Sequence, residues 1–257
     1  MQHLADYVNP YIGSISHMLA SCKPEVMLPY GMARSTPVMT DCGDYYCNDR
    51  VQGYPLGKAN VMPGRDGAFD NSLDHSREDF RCYYLRAELE EMEIVAESTV
   101  TRHVYLHRFT GANELRLRFP NGEAEEREGC IAVRIRREHP KFEVFEYILV
   151  ALDCPLKVLR REGEEWVLRV PETVVVRGAV SYISFEKAAE SLQKETDGRD
   201  FDRIADEARE IWDRQLSKAA VSGNTEERKT VYYTALFRAF MRMTDYTEYG
   251  QYFSGYD

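Results

Sequence analysis

The sequence predicts a mainly β protein, an antiparallel β-sandwich followed by C-terminal α-helices. Three observations predict it. Short runs of alternating or β-branched apolar residues recur between Tyr83 and Phe185 without intervening helices. After residue 200 the spacing of apolar residues changes to steps of three and four, the stripe of an amphipathic helix. Turn residues separate the runs, as they do in all-β sandwiches.

The first eighty or so residues carry turn signals rather than a regular period: Asn9-Pro10, Pro29-Tyr30-Gly31, Asp41-Cys42-Gly43-Asp44 and Pro63-Gly64-Arg65-Asp66-Gly67. Strands begin beyond them. Ile94, Val100, Val104, Leu106 and Phe109 sit in a β-branched and aromatic run, and Leu115 to Phe119 and Ile131 to Ile135 alternate apolar with polar. Phe142 to Leu152 and Thr173 to Ile183 are further strand runs, and Val158 to Val170 predicts a hairpin turning near Glu162-Gly163-Glu164. The helical stripe then runs through Phe201, Ile204, Ala205, Ala208, Ile211, Trp212 and Leu216, and Ser222-Gly223 ends it. Asn224 with Glu227 has the spacing of a capping box and opens a last helix through about Met243.

That last helix is apolar around most of its circumference. Val231, Tyr232, Ala235, Leu236, Ala239, Phe240 and Met243 form one stripe; Tyr233, Phe237 and Met241 form a second, displaced around the axis. Such a helix must be covered on more than one side. Each large side chain left in water forgoes roughly 1.5–3 kcal/mol of burial. The expectation is protein beyond the C-terminus or, alternatively, a partner copy docked on the helix.

Composition sets the limits. The 257 residues carry 33 Lys+Arg against 43 Asp+Glu, a net charge of −10, which repels a phosphate backbone and argues against nucleic acid as a partner. No apolar run reaches the ~18 residues of a membrane-spanning helix, and the first residues lack a signal-peptide pattern. As written, the sequence reads as soluble and cytoplasmic, or secreted or periplasmic if a signal peptide has been removed. None of the six cysteines forms a Cys-x-x-Cys pair, so a structural zinc site is not expected; Cys42 and Cys47 could pair in an oxidising compartment. Nucleophile-elbow, phosphate-loop and dinucleotide motifs are absent.

Several segments together carry a family likeness. Tyr7-Val8-Asn9-Pro10-Tyr11-Ile12-Gly13 resembles the opening of glycoside hydrolase family 92, the calcium-dependent exo-α-mannosidases. In the family's order follow Leu28 to Pro37, His75-Ser76-Arg77-Glu78 with Tyr83-Tyr84, Ala96 to Arg102 with His107-Arg108-Phe109-Thr110, and Trp212 to Ser217 with Val221-Ser222-Gly223 and Tyr232 to Arg238. The terminal Tyr252-Phe253-Ser254-Gly255-Tyr256-Asp257 resembles a substrate-side loop. Two departures mark a divergent relative. Pro55-Leu56-Gly57-Lys58-Ala59-Asn60 stands where the family carries Ser-His-x-His before a glycine-rich loop, and Phe80-Arg81-Cys82 replaces a proline-glycine.

The resemblance implies a sandwich (residues 1–185), linker helices (186–223) and the first helix and loop of an (α/α) catalytic domain cut short (224–257). It implies hydrolysis of α-mannosidic or related bonds with inversion, which needs an acid and a base carboxyl about 6.5–9.5 Å apart with a water between them. It places that pair, and most ligands of the Ca2+ ion, beyond Asp257, so no catalytic residue and no metal ligand is assigned in this chain. Substrate contacts are expected from Asp257, which matches a sugar-facing aspartate, from Tyr256, and from Asp44 and Tyr45 with neighbouring Tyr46. The implied partner is a glycan, without nucleic acid or membrane, and a homo-oligomer through the C-terminal apolar helix is possible. A stand-alone carbohydrate-binding sandwich and a structural or assembly module remain the alternatives.

Other residues read as structural. His75 and Glu78 are expected as a buried hydrogen-bonded pair. His103 and His107 lie on a strand, where positions four apart are ~13 Å apart and cannot share an ion. The acidic runs Glu88 to Glu93 and Glu123 to Glu128 read as solvated surface.

Overall fold

A computed structural model describes residues 3–15, 21–39, 46, 49–138, 141–223 and 225–255. In chain order the strands are β1 (Val26–Met27), β2 (Arg34–Ser35), β3 (Val38–Met39), β4 (Arg50–Leu56), β5 (Ala59–Gly64), β6 (Asn71–Ser72), β7 (Asp79–Phe80), β8 (Leu85–Leu89) and β9 (Ile94–Val100). They continue as β10 (Val104–Thr110), β11 (Glu114–Arg118), β12 (Gly122–Arg127), β13 (Cys130–Arg137), β14 (Val144–Leu152), β15 (Val158–Glu162), β16 (Glu165–Arg169) and β17 (Thr173–Ser181). The helices α1 (Phe185–Thr196), α2 (Phe201–Leu216) and α3 (Glu226–Phe240) follow. Among the described residues no helix is long and apolar enough to cross a membrane.

Two antiparallel sheets face each other, as the sequence predicts. One has the order β12-β13-β14-β17-β10-β9-β8-β7; the other runs β15-β16-β11-β5-β4-β3, with β6 also on β4. Their inner faces meet in one core that includes Leu85, Phe109, Leu115, Leu117, Ile131, Val133, Ile148, Val174 and Val176. In β17 almost every residue is buried, because its outer face lies under α1 and the start of α2: Val175 and Ala179 pack with Ala188, Phe201 and Ile204. A strand covered on both faces reads as a continuous apolar run rather than an alternation, which is what Thr173 to Ile183 shows. The predicted hairpin is β15–β16, with its turn at Gly163. Glu123 to Glu128 is solvated as expected, but most of it forms the edge strand β12, where charge discourages pairing with another chain.

β4 and β5 are strands that the sequence hides behind turn residues. Gly57 sits at positive φ (+70°) in the turn between them, and the turn is tucked into the sandwich. A Cβ on Gly57 would meet the buried Glu146 at 2.4 Å. Glu146 accepts from the Lys58 amide at 3.2 Å. Its carboxyl is raised by burial, against the opposing pull of Arg137.

His103 and His107 are both buried on β10. His107 donates from Nε2 to the Pro55 carbonyl at 2.8 Å and accepts at Nδ1 from Ser98 Oγ at 2.8 Å. Burial lowers its pKa to about 4, with the Pro55 hydrogen bond opposing. The unfolded chain binds this proton near pH 6.5 and the folded chain only near 4. The sandwich should therefore lose stability as pH falls through that window, by about 3 kcal/mol in all. Urea midpoints between pH 7 and 4 measure the slope, and His107→Asn should remove its share.

The helices form a smaller core with the N-terminal segment. Trp212 of α2 is fully buried against Phe237 of α3, at 5.3 Å between ring centroids. The cap of α3 differs from the expected one by a residue: Thr225 caps it, Oγ1 accepting from the Arg228 amide at 3.4 Å, whereas Asn224 lies outside the described residues. The helix ends at Phe240 rather than near Met243. Of its two apolar stripes, Tyr233 and Phe237 are the buried pair. The other is left half open, with Val231 59% and Met243 43% exposed.

Candidate functional site

The four residues expected to touch substrate, Asp44, Tyr45, Tyr256 and Asp257, lie outside the described residues, as do Cys42 and Cys47. Cys22, Cys82, Cys130 and Cys154 are free thiols. The structure describes their neighbours in sequence, Tyr46 and the loop that runs from α3 to Gly255.

Tyr46 is buried and donates its hydroxyl to Glu78 Oε1 at 2.8 Å, while Tyr11 donates to Oε2 at 2.8 Å. Burial, reinforced by the Glu78 charge, raises both phenols well above the usual tyrosine range. They therefore stay protonated and serve as donors. Glu78 is fully enclosed, whereas the side chain of His75 is 31% exposed, with Nδ1 3.2 Å from Glu78 Oε2. The expected buried pair is thus a buried carboxylate with a half-open histidine at its edge. Tyr46 belongs to this anchor, which joins three separate chain segments.

The second framework holds the loop after α3. Arg34 on β2 donates to the carbonyls of Met241 and Met243 and, at 2.7 Å, to Thr244 Oγ1. The Asp245 amide donates to the Tyr30 carbonyl at 3.0 Å, and Asp245 pairs with Arg102. Glu248 is fully buried, accepting from Ser181 Oγ and, at 2.8 Å, from the Tyr182 amide. Glu195 of α1 accepts from the Tyr249 hydroxyl at 2.5 Å, from Thr101 Oγ1 at 2.5 Å and from the His103 amide at 3.0 Å. His103 Nδ1 is 2.5 Å from the same carboxyl, and Nε2 is 3.2 Å from the Thr247 carbonyl. Burial opposes the charge on Glu195, but the His103, Thr101 and Tyr249 contacts outweigh it and hold the carboxyl below its usual range. Tyr249 and Gly250 both have positive φ (+50° and +85°), and the Glu248 amide meets the Gln251 carbonyl at 2.6 Å, so the loop reverses in a tight turn.

A third set of contacts ties the N-terminus to α2 and α3. Tyr7 stacks on Tyr233 at 5.6 Å, the Asn9 amide donates to Thr234 Oγ1 at 2.9 Å, and Arg238 donates to the Pro10 and Ile12 carbonyls at 2.6 and 2.8 Å. Segments far apart in sequence therefore converge on α3 and its loop: Tyr7 to Gly13, Tyr30 with Arg34, and Arg102. Among the described residues no three His, Cys, Asp or Glu side chains are grouped to hold a metal ion, so they present no calcium cage.

Sequence reasoning did not single out Glu195, Glu248 or Tyr249. Glu195 resembles any polar residue of an amphipathic helix, and its partner His103 is 92 positions away.

Residues 187–257 match the family model described as the glycosyl hydrolase family 92 catalytic domain. Across 99% of its length the chain superposes, at a TM-score of 0.84 and 18% identity, on 42% of a family GH92 inverting mannosidase from Bacteroides thetaiotaomicron. The family 92 likeness is borne out. A GH92 alpha-mannosidase from the same organism, solved with mannoimidazole, matches 96% of the chain at a TM-score of 0.82 and 17% identity, over 41% of its own length. A third structure, a gh92 family glycosyl hydrolase, matches at 0.81 and 17% identity, covering 96% of this chain and 42% of its own. No curated protein matches the chain. The chain spans about two fifths of the length of these family 92 structures.

Proposed function

We propose that this chain is the N-terminal portion of a glycoside hydrolase that cleaves α-mannosidic or related glycosidic bonds with inversion. The observation that carries the reading is the convergence of the family-like segments on α3 and the loop behind it. Tyr7, Asn9, Arg34, Arg102 and Tyr249 all spend their polar groups or rings on holding that unit against the sandwich. Such a framework suits a loop that must present side chains to a sugar at fixed positions.

In this reading the sandwich is a brace. Its own contribution to catalysis is to hold the loop after α3 and the Glu78 anchor, the described stretches nearest in sequence to Tyr256 and Asp257 and to Asp44 and Tyr45. The acid that protonates the leaving oxygen and the base that activates water come from outside these 257 residues, as do most ligands of a Ca2+ ion gripping the sugar hydroxyls.

The test compares the 257-residue chain with any longer product of the same gene on an aryl α-mannoside, with calcium and with a chelator. The short chain is expected to be inactive and the longer one active only with calcium. Calcium-dependent turnover by the short chain alone would overturn the division of labour, and a longer product inactive on every aryl glycoside would remove the hydrolase reading.

A further inference from the structure

A groove of about 810 Å³ runs along the outer face of the eight-stranded sheet, beside α1. Phe185 and Leu192 of α1 form one wall, and Leu149 and Ala151 of β14 lie with Arg177 of β17 along the sheet side. Arg127 closes it at the β12 edge, and the turn between α1 and α2 closes it at the other end. None of its lining residues belongs to the loop after α3 or to the family-like segments.

Arg177 is the unusual member. Alternation along β17 puts it on the same face as Val175 and Ala179, which pack under the helices. It is half-buried, yet among the described residues it makes no ion pair, hydrogen bond or ring contact. Arg108, on the same face of the neighbouring β10, shows the contrast. It is held by Glu97 at 2.6 Å and Asp202 at 3.0 Å, and it lies 4.5 Å over the Phe201 ring. A guanidinium drawn partly out of water costs solvation that a counter-charge normally offsets. At Arg177 the protein supplies none, and the side chain borders an open groove.

The other cations of the lining are already engaged. Arg127 pairs with Glu186 at 3.5 Å and lies 5.5 Å over the Phe185 ring. Arg199 pairs with Glu207 at 3.1 Å and donates to the Lys194 carbonyl, while Asp200 accepts from the Arg203 amide at 2.8 Å. These contacts fix both ends of the groove before any ligand arrives, which reduces the entropy lost on binding.

The ligand follows from the chemistry. The planar donor fork of an arginine matches a carboxylate. Arg127, Arg177 and Arg199 are outnumbered by Glu128, Glu186, Asp197 and Asp200, so a second negative charge on the ligand is repelled. Leu149, Ala151, Leu192 and Phe185 offer apolar surface beyond the charge, and the volume lies toward the upper end of small-molecule pockets. We infer that this groove binds a medium-chain alkyl monocarboxylate, its head on Arg177 and its chain along α1. The inference stands apart from the glycosidase reading and uses none of its residues.

Calorimetric titration of the 257-residue chain with octanoate, octan-1-ol, octylammonium and acetate tests it. Octanoate is expected to saturate, with affinity about tenfold above octan-1-ol and acetate, and octylammonium is expected not to bind. Arg177→Met should weaken octanoate about tenfold, to the level of the alcohol, while Arg177→Lys keeps part of the affinity. Urea unfolding supplies a second readout. Without ligand, Arg177→Met should unfold at or above the parent midpoint, because it removes an unpaired charge; octanoate should raise the midpoint of the parent and not that of the variant. Absence of saturation, octan-1-ol or octylammonium equalling octanoate, or unchanged affinity in Arg177→Met would overturn the site. A midpoint of Arg177→Met well below the parent would also overturn it, since Arg177 would then have its partner within the fold.

Discussion

Trp212→Ala should lower the unfolding free energy of this chain by about 3–5 kcal/mol, the usual cost of emptying a large aromatic site. Trp212 is fully buried, and its indole Nε1–H donates to the Met27 carbonyl at 2.7 Å. Its ring contacts Phe237 at 5.3 Å and Phe240 at 5.9 Å. One side chain therefore joins β1, α2 and α3, and alanine leaves both a cavity and an unpaired carbonyl. Trp212→Phe separates the two contributions: it retains most of the ring, loses the donor, and should cost about 1–3 kcal/mol. Urea unfolding followed by circular dichroism measures both. A cost under about 1 kcal/mol for the alanine variant would mean that the helices are not bound to the sandwich through this residue.

The second large effect is expected at Glu195. Its removal leaves the Thr101 hydroxyl, the His103 amide and the Tyr249 hydroxyl without their shared acceptor, and each buried donor left unsatisfied costs about 1–3 kcal/mol. Glu195→Ala should also free the loop after α3, since Tyr249 and the His103 ring both depend on it, so limited proteolysis should cut near Tyr249 faster than in the parent. The sign with pH follows from the depressed carboxyl. The stabilisation is complete above the ordinary glutamate pKa of about 4.3 and is lost as pH falls through the lower folded value. Glu195→Gln should be least different from the parent in strong acid. A Glu195→Ala variant with parental stability and parental cleavage would show that the clamp contributes nothing.

How much of this was readable in advance depends on where each residue finds its partner. Thr173 to Ile183 and the Glu162-Gly163-Glu164 turn were legible because their signals are local: a buried strand needs apolar side chains, and a hairpin needs turn residues. β4 and β5 were not, because Pro55, Pro63, Gly53 and Gly64 punctuate them and their strand character comes from pairing with β11 and β3. The cap of α3 was misplaced by one residue because Asn224 and Thr225 are both good caps, and only the Thr225–Arg228 bond distinguishes them. The second stripe of α3 was visible, yet which stripe turns inward was decided by Trp212 and Tyr7. At the candidate site the family-like segments could be recognised one by one. Their meeting around α3 could not, because contacts such as Asn9 with Thr234 span 225 positions. Tyr46, grouped beforehand with possible sugar contacts, is an interior anchor because Glu78 needs its donor.

The reversal at Tyr249 and Gly250 has a geometric consequence for the chain on either side of it. Tyr246 lies before that bend and Phe253 after it, and both φ angles at the bend are positive. Exchanging one aromatic for another should leave the course of the backbone almost unchanged. Lengthening the bend by a residue should shift its two arms against each other.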